Sequence, residues 1–232
     1  MMRVIGRILL AVAMGLGVLV FYGFVNTVLT LLLNTSTYGT WVIHIGSAVA
    51  ACILCVLLML ALGWGRLGGF GFAWPTDFQP VRVCLLGLAV GVATSVLGRI
   101  AAMEENMTAA EFSFLQVVVF IWICASIWEE VLTRGLVQGF LSSLSQHGFS
   151  VANIRFSLPM VVSALFFGAM HLVLLTTGMG LPSVLFIVVF ACVVGLIAAL
   201  YRERTGSLLP AIMVHMAANI GGTVADELLA GL

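Results

Sequence analysis

Trp128-Glu129-Glu130-Val131-Leu132-Thr133-Arg134 puts two adjacent carboxylates and a guanidinium inside a run otherwise suited to lipid. A charge at the centre of a bilayer costs at least about 2.5 kcal/mol, so such residues turn toward a bundle interior and mark function. On a helix Glu130 and Arg134 stand one turn apart, acid before base, the order that favours pairing. Glu129 is rotated by about 100° from Glu130 and has no base one turn away. It is the carboxylate left free for general-base work; the structural alternative ties all three residues into one ion-pair network.

Around this stretch the composition fixes the solvent. Hydrophobic residues make up 62% and charged residues 8% of the chain, lysine is absent, and the mean hydropathy is +1.24. Soluble domains carry about 25% charged residues, so the chain reads as an integral membrane protein. Formal net charge is zero with no basic cluster, which excludes a nucleic-acid binder. Cys52, Cys55, Cys84, Cys124 and Cys192 lie in apolar runs. Even the Cys52-x-x-Cys55 pair reads as packing, since free cysteine behaves as a small hydrophobe.

A helical span needs about 20 apolar residues. Seven runs qualify: about Val4 to Leu33, Thr40 to Gly63, Val81 to Ala102, Phe112 to Leu144, Leu158 to Thr176, Pro182 to Tyr201 and Ser207 to Leu229. The predicted fold is therefore an all-α polytopic transmembrane bundle. Residues 1–232 form a single membrane domain, with a motif-bearing core at about 112–230. Gly65 to Pro80 and the polar link Ser145 to Ser157 read as loops, and Arg202 to Gly206 as a short connection. Arg3, Arg7, Arg66, Arg82, Arg155, Arg202 and Arg204 then fall on one side. Glu104, Glu105, Glu111, Asp226 and Glu227 fall on the other, with Arg99 snorkelling toward them. The positive-inside rule places the N-terminus in the cytoplasm and the C-terminus outside. With no targeting extension, a prokaryotic cytoplasmic (inner) membrane is the expected location.

Further polar residues interrupt the later spans. Phe167 and His171 are one turn apart in the fifth, and His215 and Asn219 share a face of the seventh. Helix rise puts His171, His215, Asn219 and Glu129 in one layer below the headgroups. Each has a structural reading as interhelical polar glue, which suits His44 best; His147 reads as a solvated loop residue.

The ordered set Glu129-Glu130-x-x-x-Arg134, Phe167-x-x-x-His171 and His215-x-x-x-Asn219, approached through Gly206-Ser207-Leu208-Leu209-Pro210, resembles the CPBP family of intramembrane proteases, relatives of the Rce1-type CAAX prenyl protease. The resemblance covers roughly the half from the fourth span onward. It implies a metal-independent glutamate protease in which Glu129 activates water with help from His171. His215 and Asn219 form an oxyanion hole, Glu130 and Arg134 brace the helix, and Phe167 supports the site. It also implies a membrane-associated peptide or protein substrate, prenylated in some members. Two histidines and a glutamate are equally a zinc set, so a zinc-dependent metallopeptidase stays open, although no HExxH occurs. A serine route lacks its nucleophile elbow. A non-catalytic scaffold or immunity protein that keeps the cluster for packing is the remaining alternative.

Overall fold

The computed structural model describes residues 2–33, 39–103 and 112–230. Seven long helices dominate the described residues. They are α1 (Met2–Leu32), α2 (Thr40–Leu62), α3 (Pro80–Ile100), α4 (Phe114–Gln138), α5 (Leu158–Met170), α6 (Leu181–Thr205) and α7 (Leu209–Ala230). Helix α5 tightens into a 3-10 turn at His171–Thr177. By length and composition α1 to α4, α6 and the Leu158–Thr177 segment can cross a membrane. Helix α7 carries His215, Asn219 and Thr223 within it, polar residues that keep it out of that set. Outward faces are apolar, as at Leu9, Val20, Phe24, Ile53 and Leu85, the surface a bilayer would cover. The protein is thus an all-α, multi-pass integral membrane bundle.

Helix α4 is the axis: from Val131 to Gly139 every residue is buried. Its inner wall, Trp128, Leu132 and Leu136, packs with Ala11 and Val18 of α1 and Ala48, Ala51, Cys55 and Met59 of α2. On another side α7 lies along α3 at close range. A Cβ added at Gly87 would meet the Ala217 Cβ at 2.7 Å, so only glycine permits this approach.

The two ends of the bundle differ in charge. Arg7 donates to Ser143 (2.6 Å), joining the start of α1 to the segment after α4. Arg202 donates to the Gly69 carbonyl (2.9 Å), joining the end of α6 to the α2–α3 connection. At the opposite end Ser95 of α3 hydrogen-bonds Asp226 of α7. The acidic residues Glu104, Glu105 and Glu111 toward which Arg99 was expected to reach lie outside the described residues; Arg99 itself is exposed.

Two connections depart from the sequence reading, and a third, the loop Gly65 to Pro80, packs inward. Ser145 to Ser157 is not a plain polar link but holds an antiparallel hairpin, β1 (Gly148–Val151) and β2 (Ile154–Ser157). Its two-residue loop has positive φ at both Ala152 (47°) and Asn153 (65°), the primed-turn geometry that matches strand twist. Arg202 is helical and buried rather than a solvated loop charge, because the Gly69 carbonyl receives it. Gly65 to Pro80 folds inward, burying Phe70, and its Gly71 carbonyl accepts from Leu208 N–H at the entrance to α7 (2.9 Å).

Candidate active site

The geometry of α4 sets the site. Val117–Ala125 and Val131–Gln138 wind as π-helix, flanking one regular turn at Ser126–Glu130. Such widening is uncommon and frequently sits at functional positions. Side chains take up some of the carbonyls: Thr133 Oγ1 donates to Glu129 O (2.6 Å), and Ser163 Oγ of α5 donates to Thr133 O (2.9 Å). The Ser163 bond ties the backbone of α4 to α5.

Glu130 and Arg134 are fully buried and paired, Nη1 to Oε1, at 2.9 Å. The guanidinium also donates to Thr133 Oγ1 and lies over the Phe167 ring at 4.6 Å, a cation–π contact that partly replaces water. Gly195 of α6 makes room for it: a Cβ there would stand 2.8 Å from Arg134 Nη2 and 3.2 Å from Phe167.

His215 lies between the two glutamates. Its Nδ1 is 3.1 Å from Glu130 Oε1, while its Nε2 is 3.9 Å from Glu129 Oε2. The Glu129 side chain is the more open of the carboxylates, 15% exposed against 0% for Glu130. Phe167 meets both imidazoles edge-on, with centroids 5.1 Å from His171 and 5.1 Å from His215. His171 Nδ1 is 2.9 Å from the Phe167 carbonyl, an acceptor, so that nitrogen carries the proton and Nε2 is left as a lone pair in the neutral ring.

Asn219 sits one turn beyond His215, and its Nδ2 donates to Ile121 O (3.2 Å) and Ser126 Oγ (3.1 Å) of α4. Trp122 Nε1–H donates to Thr223 Oγ1 (3.2 Å), a further tie between α4 and α7. Where α4 meets α1, Tyr22 stacks on Trp128 at 4.9 Å, and its hydroxyl and Asn26 Nδ2 both lie 3.2 Å from His44 Nδ1. His44 is therefore a contact between neighbouring helices, as expected.

Glu129, Glu130 and Arg134 lie on α4, Phe167 on α5, His171 in the 3-10 turn that continues it, and His215 and Asn219 on α7; Phe167 touches Arg134 and both histidines, while the Asn219 amide is directed at Ile121 O and Ser126 Oγ of α4. Sequence reasoning passed over Ser126, Thr133, Tyr22 and Gly195. The first three carried a legible signal: Ser126 and Thr133 are hydroxyls in an apolar run, and Tyr22 stands one turn before Asn26. Glu130 was assigned to Arg134 alone and in the structure also meets His215. Among the described residues no group of three or more His, Cys, Asp or Glu side chains is arranged to hold a metal ion. The five cysteines are unpaired, with Cys55 in the core.

A buried ion pair, two imidazoles and a partly open carboxylate inside a multi-pass helical bundle define a membrane-embedded polar centre equipped for proton transfer. Residues 111–221 match the family model of the type II CAAX prenyl endopeptidases, Rce1-like, and this segment is an Rce1-like domain, consistent with the CPBP family. The matched family is one of endopeptidases, so the match indicates a hydrolase and implies a peptide or protein substrate in the membrane. No curated protein matches the chain. No solved structure matches it.

Proposed function

We propose that the protein is an intramembrane glutamate endopeptidase in which Glu129 is the general base. The observation that carries this reading is the placement of His215, bonded through Nδ1 to Glu130 and facing Glu129 through Nε2. Glu129 takes a proton from water as the water oxygen attacks the peptide carbonyl, and that proton passes to the leaving amine as the C–N bond breaks. General-base catalysis of this kind contributes typically 10²–10⁴-fold. The lone pair on His171 Nε2 accepts from the same water. For His215 to donate from Nε2 to the oxyanion while Nδ1 donates to Glu130, the ring carries both protons, and the flanking carboxylates supply the countercharge. Asn219 joins it by exchanging its Ser126 contact for the substrate oxygen. Donors aimed at developing charge act most strongly where water is excluded.

On this reading no metal takes part, the chain is one membrane domain with its arginine-rich end in the cytoplasm of a prokaryotic cell, and the substrate enters laterally or from that side. Its lipidation follows only by analogy with family members. The test compares membrane peptidomes of cells with the wild-type protein and with Glu129→Ala. A peptide cleaved only in the wild type is expected. A phenotype that survives in a folded Glu129→Ala variant would make the protein a scaffold. Stoichiometric zinc in the purified protein, lost to a chelator together with cleavage, would make it a metallopeptidase.

A further inference from the structure

A groove of about 990 Å³ lies at the arginine-rich end, far in sequence from Glu129 and sharing no lining residue with the polar centre. Its walls are the first turns of α3 (Val81, Leu85, Leu86), the last turns of α6 (Ile197, Leu200, Tyr201) and Ile154 at the hairpin tip. Two charged side chains line it, Arg82 and Arg204, one from each helix. Both are exposed, and among the described residues neither has an ion-pair or hydrogen-bond partner. The volume lies near the top of the range for small-molecule sites, roughly 300–1,000 Å³.

Position within the helices gives the groove its polarity. From Arg82 to Leu86 and from Arg204 back to Ile197 the helices run roughly 6 and 10 Å along their axes. The two guanidiniums therefore stand at the mouth, and the aliphatic side chains extend from there toward the membrane interior. Val81 (70% exposed) and Leu85 (60% exposed) belong to the belt that hydrocarbon would cover. Tyr201 is half-buried at the level where amphipathic rings mark the membrane interface. A ligand complementary to this site has an anionic head and an aliphatic tail. Guanidinium matches phosphate oxygens with paired donors, and juxtamembrane arginines draw anionic lipid.

We propose that this groove binds one anionic phospholipid, its phosphate held between Arg82 and Arg204 and an acyl chain laid along Leu85, Leu86, Ile197 and Leu200. The inference stands on the groove alone and is independent of the catalytic reading. The bound lipid would bridge α3 and α6 beside the hairpin, at the end of the bundle where α6 turns through Gly206 into α7.

Native mass spectrometry of the full chain in detergent micelles tests it, with dioleoyl phosphatidylglycerol, dioleoyl phosphatidylcholine, dioleoylglycerol and inorganic phosphate added separately. One phosphatidylglycerol is expected to be retained ahead of the other three. Arg82→Gln and Arg204→Gln should each weaken retention about fivefold, the effect of one basic residue near a lipid surface. Leu85→Trp, at an exposed position that folding tolerates, should block the tail and lower retention of either phospholipid. Arg66→Gln, an exposed arginine outside the groove, should change nothing. Four results overturn the proposal: equal retention of phosphatidylcholine or dioleoylglycerol; retention of phosphate alone at the same strength; an Arg66→Gln loss as large as that of Arg82→Gln; or unchanged binding in Leu85→Trp.

Discussion

Oε1 of Glu130 receives both Arg134 Nη1, at 2.9 Å, and His215 Nδ1, at 3.1 Å, so a single oxygen joins α4 to α7. Its neighbour Glu129 has no such anchor and is the more open of the two. The two carboxylates are adjacent in sequence but differ in partners and exposure, which makes their variants separable.

With Glu129 as the proposed base, Glu129→Gln keeps the shape and removes the proton acceptor. Cleavage is expected to fall by about 10²-fold or more while the melting temperature in detergent stays at the wild-type value. Glu130→Ala leaves Arg134 buried without its counter-charge, a defect worth about 3–5 kcal/mol, and should lower the melting temperature sharply. Thermal unfolding paired with a turnover assay separates the outcomes. A stable Glu130→Ala protein would refute the structural role.

His171 is oriented by the Phe167 carbonyl and ring. His171→Ala should lose turnover by about 10²-fold, the low end of what a positioned proton acceptor contributes, with the fold intact because the residue is only half-buried. Phe167→Ala removes a buried ring that touches Arg134 and both histidines, and should cost about 3–5 kcal/mol. Melting curves distinguish the pair.

Asn219 and Ser126 form one contact across α7 and α4. If Asn219 exchanges Ser126 for the oxyanion, Ser126→Ala leaves turnover nearly unchanged, whereas Asn219→Ala lowers it by about 10²-fold, the usual effect of losing one oxyanion donor. Equal losses in the two variants would mean that Asn219 serves only to pin the helices. Turnover measured across the double-mutant cycle reads this directly.

Gly195→Ala forces a methyl against Arg134 Nη2 and Phe167. Overpacking of this kind costs typically 1–3 kcal/mol. Lowered stability should come with reduced turnover, because the displaced Phe167 carries both imidazoles. Gly68→Ala has open space at its Cβ and is the control, expected to match the wild type in both assays.

Much of the fold was legible because hydropathy and length alone determine where helices can cross lipid. Six of the seven predicted spans match observed helices within a few residues, the fifth when its 3-10 turn is included. Helix α4 is the exception at its end, since Leu141 to Leu144 departs into a turn and a 3-10 segment that the apolar pattern does not mark. The hairpin escaped notice because Ala152-Asn153 lacks the glycine of the common primed turns. Arg202 was misplaced because its acceptor, the Gly69 carbonyl, is a backbone atom more than a hundred residues away. In the site, Glu130 to Arg134 is a one-turn pair and could be read directly. The bond from Glu130 to His215 could not, since it depends on the rotational phase of α4 after its backbone widens. The Asn219 contacts with Ile121 and Ser126 depend on the same phase.

Trp128, Leu132 and Leu136 lean on α1 and α2, which stand outside the matched segment 111–221. Cut out alone, that segment would present a bare hydrophobic flank and lose the Tyr22 stack behind Glu129. During synthesis α1 and α2 emerge before α4, and domains form from the amino-terminal side first. Helices α1 and α2 thus cover a flank that the later helices cannot cover for themselves, and a split protein should recover its fold only when both pieces are made in the same membrane.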